Sequence, residues 1–160
     1  MNEKPAHRKP LHLKTFDYIG SSTVYFITIC TKDKQPHFLL SDVAETVVAE
    51  LQHRRIAQEI RLYSFCIMPD HLHLLLTLTE RYEKSLQNWI AAFKRHTARS
   101  AREIHGIKPL WQKNFHEHIL RKEESLTKTV EYILNNPVRK GIVEKWNDYK
   151  YCGVIDEMPM

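Results

Sequence analysis

The chain has no long hydrophobic run. Its longest apolar stretch, Leu72 to Leu78, is interrupted by His73 and Thr77 and falls far short of the roughly 20 residues that cross a bilayer as a helix. Cysteine is scarce: Cys30, Cys66 and Cys152 form an odd set with no C-x-x-C spacing. That excludes a disulfide scaffold and points to buried, reduced thiols. There is no repeat, low-complexity tract or domain linker. The opening MNEKPAHRKPLHLK carries charges and two prolines but no apolar segment of the export type. A cytoplasmic location is the expectation, with no membrane role.

What is present fits one globular domain spanning 1–160, with a basic N-terminal arm over 1–20 and a polar tail over 148–160. Apolar residues make up 42% and charged residues 27% of the 160, and a chain of this length buries roughly 70% of its unfolded surface. Lys and Arg number 24 against 19 Asp and Glu, a net +5. The excess is local. Residues 81–122 hold ten basic and three acidic groups, a charge of +7, and the remainder carries −2. A positive stripe on a near-neutral body is the footprint of a polyanion binder, although a solvated helix face has the same composition. Ten histidines are the other excess, and His supplies metal ligands and proton chemistry near neutrality.

The pattern predicts strands and helices in the order β-α-β-β-α-β-α. VYFITICT (24–31) reads as a strand, and Ser41-Asp42 as the cap of a helix whose apolar positions run from Val43 to Ile56. A strand follows from Ile60 to Met68, Pro69-Asp70 makes a turn, and 71–79 is the next strand. Ser85 caps a long helix to Ile104, stopped by Gly106. Residues 110–121 lead through a loop into a strand, and Ser125 opens a helix that Pro137 ends. Two strands joined by a two-residue turn are antiparallel. The expected architecture is an α+β sandwich of the ferredoxin-like kind, an antiparallel sheet whose intervening helices cover one face.

Two motifs can carry chemistry. In His71-Leu72-His73 the imidazoles sit at i and i+2 of a strand, hence on one face, while Leu72, Leu74, Leu76 and Leu78 take the other. Two adjacent imidazoles are two thirds of a metal site. His116-Glu117-His118 has the same spacing. The apolar alternation around His71 gives the first pair the more rigid strand, and the second remains a competitor. The other motif is EYILNNPVRKG (131–141), in which Tyr132 and Asn136 lie one helical turn apart. The Asn136 amide oxygen is a candidate third ligand, and oxygen with imidazole suits Mg²⁺ or Mn²⁺. Read alone, the motif is better taken as structural, with Tyr132 a packing residue and Asn-Asn-Pro a helix stop.

Together, HLH after Met-Pro-Asp and Y-I-x-N-N-P-V-R-x-G some sixty residues later resemble the single-tyrosine HUH transposases, an insertion-sequence transposase superfamily. The closer likeness is to the REP-associated tyrosine transposase (RAYT) branch, in which Asn replaces the Gln usual at position 136. The likeness extends through YFITICTKDKQPHF, CIMPDHLHLLL, SLQNWIAAFKRHTAR and PLWQKNFHEHILRKEESL, covering about residues 24–150. The resemblance implies an HUH endonuclease fold and a divalent metal held by His71, His73 and Asn136. It also implies that Tyr132 is a nucleophile forming a 5′-phosphotyrosine with DNA. The implied substrate is single-stranded or hairpin DNA of the REP type. Candidate phosphate contacts are Lys94, Arg95, Arg99 and Arg102 on the long helix and Arg139 and Lys140 beyond the tyrosine. Trp89 or Trp111 would stack a base if exposed, although both suit a core. A monomer is favoured over the shared-site dimers of insertion-sequence relatives. The rival readings are a metal-dependent nuclease with water as nucleophile and a noncatalytic nucleic-acid-binding module.

Overall fold

The computed structural model describes residues 23–121 and 124–159; the basic arm expected over 1–20 lies outside them. Five strands form one antiparallel sheet: β1 (Tyr25–Cys30), β2 (Ile60–Met68), β3 (His71–Leu78), β4 (His116–Ile119) and β5 (Cys152–Val154), in the order β4-β1-β3-β2-β5. The helices are α1 (Ser41–Ile56), α2 (Leu86–His105), α3 (Leu126–Leu134) and the single turn α4 (Asn136–Arg139). The β1-α1-β2-β3-α2-β4 portion, with strands ordered β4-β1-β3-β2, is the expected ferredoxin-like α+β sandwich. Among the described residues, no helix is long and apolar enough to cross a membrane.

Strand periodicity divides the side chains between two cores. Tyr25, Ile27 and Ile29 of β1 and Leu72, Leu74, Leu76 and Leu78 of β3 pack under α1 and α2, against Leu51, Trp89 and Phe93. The opposite face holds a smaller cluster of Tyr63, Cys66, Met68 and Leu75 with Val130, Ile133 and Leu134 of α3. The helices that interrupt the strands, α1 and α2, share one face as expected, and α3, which follows β4, covers the other. A helix's apolar stripe announces that it packs, not on which side of a sheet.

Two readings change. The supposed tail supplies β5, which pairs with β2 through Ser64↔Val154 and Cys66↔Cys152. Asp156 just beyond it forms a two-pronged ion pair with Arg55 and accepts the Leu62 N–H. The N-cap of α1 is Leu40 rather than Ser41 or Asp42; the Asp42 carboxylate accepts the Val43 N–H and meets His105 Nε2 at 2.7 Å. The other helix signals hold: Ser85 accepts the Asn88 N–H, Ser125 accepts the Lys128 N–H, and Gly106 ends α2 at φ 65°.

One charge is buried beneath this scaffold. Arg54, 6% exposed, donates to Glu50 and Glu59 at 2.6 and 2.9 Å and lies 5.7 Å from the Trp89 ring centre. Trp89 Nε1 donates to the same Glu59 carboxylate. Removing one partner of such a group strands the others. Arg54→Ala is expected to lower the unfolding free energy by about 3 kcal/mol, read as a shift in urea midpoint at constant slope. A loss under about 1 kcal/mol would mean that the pair behaves as a surface contact.

Candidate active site

The alternation of β3 that buries its leucines turns His71 and His73 to the α3 side. Register fixes their neighbours: His73 lies between Thr28 of β1 and Cys66 of β2, and His71 between Cys30 and Met68. The ring centres are 4.7 Å apart. Each ring is held through its Nδ1. His71 Nδ1 donates to Asp70 Oδ1 at 2.7 Å, and His73 Nδ1 is hydrogen-bonded to Thr28 Oγ1 at 2.9 Å. Nε2 is thus the nitrogen left for another partner on both rings. Burial, with the His71 and Arg139 charges nearby, pushes the His73 pKa down to about 3, so its imidazole is neutral through the physiological range.

Asn136 arrives from the end of the tyrosine helix. α3 stops at Leu134, Asn135 caps it at φ −82° and ψ 0°, and Asn136 opens α4 ahead of Pro137. The proline lacks the N–H that would continue the helix. Asn136 is 4% exposed, and its amide Nδ2 donates to His71 Nε2 at 3.2 Å. A half-turn of the amide presents Oδ1 in its place. Two imidazole nitrogens and one amide oxygen then face the same space, each imidazole braced by its Nδ1 hydrogen bond. That donor set fits a divalent cation. Among the described residues, no group of three or more His, Cys, Asp and Glu could hold a metal, so a three-ligand set here needs the asparagine.

Tyr132, one turn before Asn136, is 51% exposed. Its ring meets Phe26 and His73 edge-on at centroid distances of 6.0 and 6.2 Å. It shares with the histidines and Asn136 a cleft of about 560 Å³, which Lys34 and Lys140 also line. Phosphate-sized anions would meet both lysines there. Asp70, Thr28 and Lys34 were not among the sequence candidates. Asp70 and Thr28 had a signal, since one precedes the histidine pair in the turn and the other sits at the solvent phase of β1. Lys34, in a loop, had none.

The other candidates lie elsewhere. Because α2 packs on the leucine face, Lys94, Arg95, Arg99 and Arg102 sit across the sheet from the histidines. Lys94 Nζ donates to the Gln112 and Lys113 carbonyls, and Arg99 pairs with Glu103; Arg95 and Arg102 are exposed. Arg139 stacks on Tyr132, its guanidinium carbon 4.2 Å from the ring centre. Trp89 and Trp111 are both core residues, their indoles donating to Glu59 and Thr97. His116 and His118 are exposed on edge strand β4, where His118 Nε2 meets Glu124 Oε2 at 2.7 Å. Neither lines the cleft.

Comparison with known proteins places this geometry in a family. The REP-associated tyrosine transposase of Escherichia coli K12 is 25% identical over 134 residues, which span 84% of this chain and 77% of that one. An uncharacterized protein of Haemophilus influenzae is 29% identical over 161 residues, 82% of this chain and 89% of its own. Among solved structures, a REP-associated tyrosine transposase bound to a REP hairpin shares the fold with a TM-score of 0.67 at 21% identity, over 86% of this chain and 79% of that one. These similarities bear out the resemblance to REP-associated tyrosine transposases. The model of the family described as "Transposase IS200 like" matches residues 21–136, most of the chain and every one of the cleft's candidate ligands and its tyrosine, and the protein belongs to that IS200-like transposase family.

Proposed function

We propose that the protein cuts and rejoins one strand of a REP-type hairpin DNA, with Tyr132 as nucleophile and a divalent cation held by His71, His73 and Asn136. The observation that carries this reading is the convergence of a half-exposed tyrosine and three candidate donors in one open cleft. The bound cation, Mg²⁺ or Mn²⁺, would polarise the non-bridging oxygens of the scissile phosphate. Asp70 and Thr28 keep the two imidazoles turned so that Nε2 is presented. Lys34 and Lys140, lining the cleft, orient the phosphates that flank the cut.

The Tyr132 oxygen attacks phosphorus as its proton leaves, the O–P bond to the 3′ oxygen breaks, and that oxygen takes up a proton. The products are a 5′-phosphotyrosine and a free 3′-hydroxyl. The phosphodiester bond is exchanged rather than hydrolysed, so attack by another 3′-hydroxyl reseals the strand without ATP. Every donor and the nucleophile come from one chain, which supports a monomer as the working unit. Arg95, Arg99 and Arg102 would contact DNA only where it passes to the far face of the sheet.

The reading is tested by incubating the protein with a labelled hairpin strand, with Mn²⁺ or with excess chelator, on denaturing gels. Strand scission with Mn²⁺ and none with chelator is expected. Scission that persists under chelation would remove the metal from the account. Binding without scission under any divalent ion would favour the noncatalytic module.

A further inference from the structure

A half-exposed tyrosine has several rotamers open to it, and a nucleophile must sit about 3–3.5 Å from its target in line with the leaving group. Something has to choose the rotamer. Phe26 and His73 make T-shaped contacts with the Tyr132 ring and do not stack on it. Arg139 does lie over the ring. Its guanidinium carbon stands 4.2 Å from the ring centre, well inside the range of a cation–π contact.

The same guanidinium is tied to the same residue a second time. Arg139 Nη2 donates to the Tyr132 backbone carbonyl at 2.8 Å. The break between α3 and α4 makes this reach possible. Asn135 closes α3 with non-helical ψ, Pro137 interrupts the ladder, and the Arg139 N–H bonds to the Asn135 carbonyl. The last carbonyls of a helix need donors from outside it, and a side chain seven residues on supplies one. Tyr132 is therefore gripped at backbone and ring by one planar group, while its ring also makes T-shaped contacts with Phe26 and His73.

We infer that Arg139 is the positioning residue for the nucleophile, fixing the Tyr132 ring over the cleft, rather than one more phosphate contact. The inference rests on Tyr132 being the nucleophile. It separates two roles that the basic run Arg139-Lys140 merges: Lys140 lines the cleft, and Arg139 holds the tyrosine. A lysine cannot replace it, because an ammonium offers no plane to stack and no fork to reach ring and carbonyl together.

The test is single-turnover formation of the protein–DNA adduct at saturating hairpin with Mn²⁺, alongside hairpin affinity over a range of salt. Arg139→Ala is expected to slow adduct formation about 10- to 100-fold at saturation, with affinity within about threefold of wild type and the same salt slope. Arg139→Lys is expected to stay within about threefold of the Ala variant. Arg139 is exposed, and retained hairpin affinity shows that the variants are folded. A full rate at saturation, with weaker binding and a salt slope shallower by about one, would make Arg139 a phosphate contact and overturn the inference. Recovery of the rate in Arg139→Lys would overturn it too, since charge alone would then suffice. Wild type without adduct would defeat the nucleophile reading and this one together; wild-type adduct with unimpaired variants would defeat this one alone.

Discussion

Replacing Tyr132 with Phe is expected to slow strand cleavage by more than about 10³-fold while leaving hairpin binding within about twofold of wild type. The substitution removes one oxygen and keeps the ring. Contacts with Phe26, His73 and the Arg139 guanidinium all involve the ring or the backbone, so the cleft keeps its shape. The rival nuclease, in which water attacks, predicts nearly unchanged cleavage by the same variant. Rate constants from single turnovers at saturating DNA separate the two. Cleavage within tenfold of wild type would end the nucleophile assignment.

Loss of either histidine should be almost as severe. His73→Ala and His71→Ala each leave two of three protein donors, and Mn²⁺ affinity is expected to fall more than about 100-fold, beyond the 10- to 100-fold typical of losing a supporting residue. Asp70→Ala, which frees the His71 ring without removing a donor, should cost about tenfold. Calorimetric titration of Mn²⁺ reads all three without reference to catalysis. His116→Ala and His118→Ala are the contrast. Both residues are exposed on β4, outside the cleft, and neither change should alter Mn²⁺ affinity. A loss of affinity on changing the β4 pair, with none on changing the β3 pair, would reverse the choice between the two motifs.

That choice illustrates how far the sequence can be read. The alternation His71-Leu72-His73-Leu74 holds two facts at once, because a strand that buries its leucines must present its histidines on the opposite face. Helix caps at Ser85 and Ser125 and the stop at Gly106 were legible for the same reason: each is a local hydrogen bond or a local φ requirement. The site's asparagine was legible through its spacing from Tyr132, although the helix ends between the two residues, at Asn135.

What failed to show was long-range. β5 is three residues with a central glycine, and its pairing to β2 draws on a strand 86 to 90 positions earlier in the chain. The side of the sheet taken by α3 is likewise not a property of its own residues, and neither is that of α2. Its basic stripe was visible as charge, but its position across the sheet from the cleft follows only from packing on the leucine face. Arg139 looked like one more cation beside Lys140; its grip on Tyr132 needs the chain to break at Asn135 and fold back.

The central claim is a covalent bond between one side-chain oxygen and a 5′ phosphate. It is tested most directly by trapping the adduct on a hairpin strand with Mn²⁺, digesting protein and DNA, and sequencing the modified peptide by mass spectrometry. The account predicts a nucleotide joined through its 5′ phosphate to Tyr132, in the peptide containing EYILNNPVR. A phosphate attached to another residue would contradict it, as would a free 5′-phosphate product with Tyr132 unmodified.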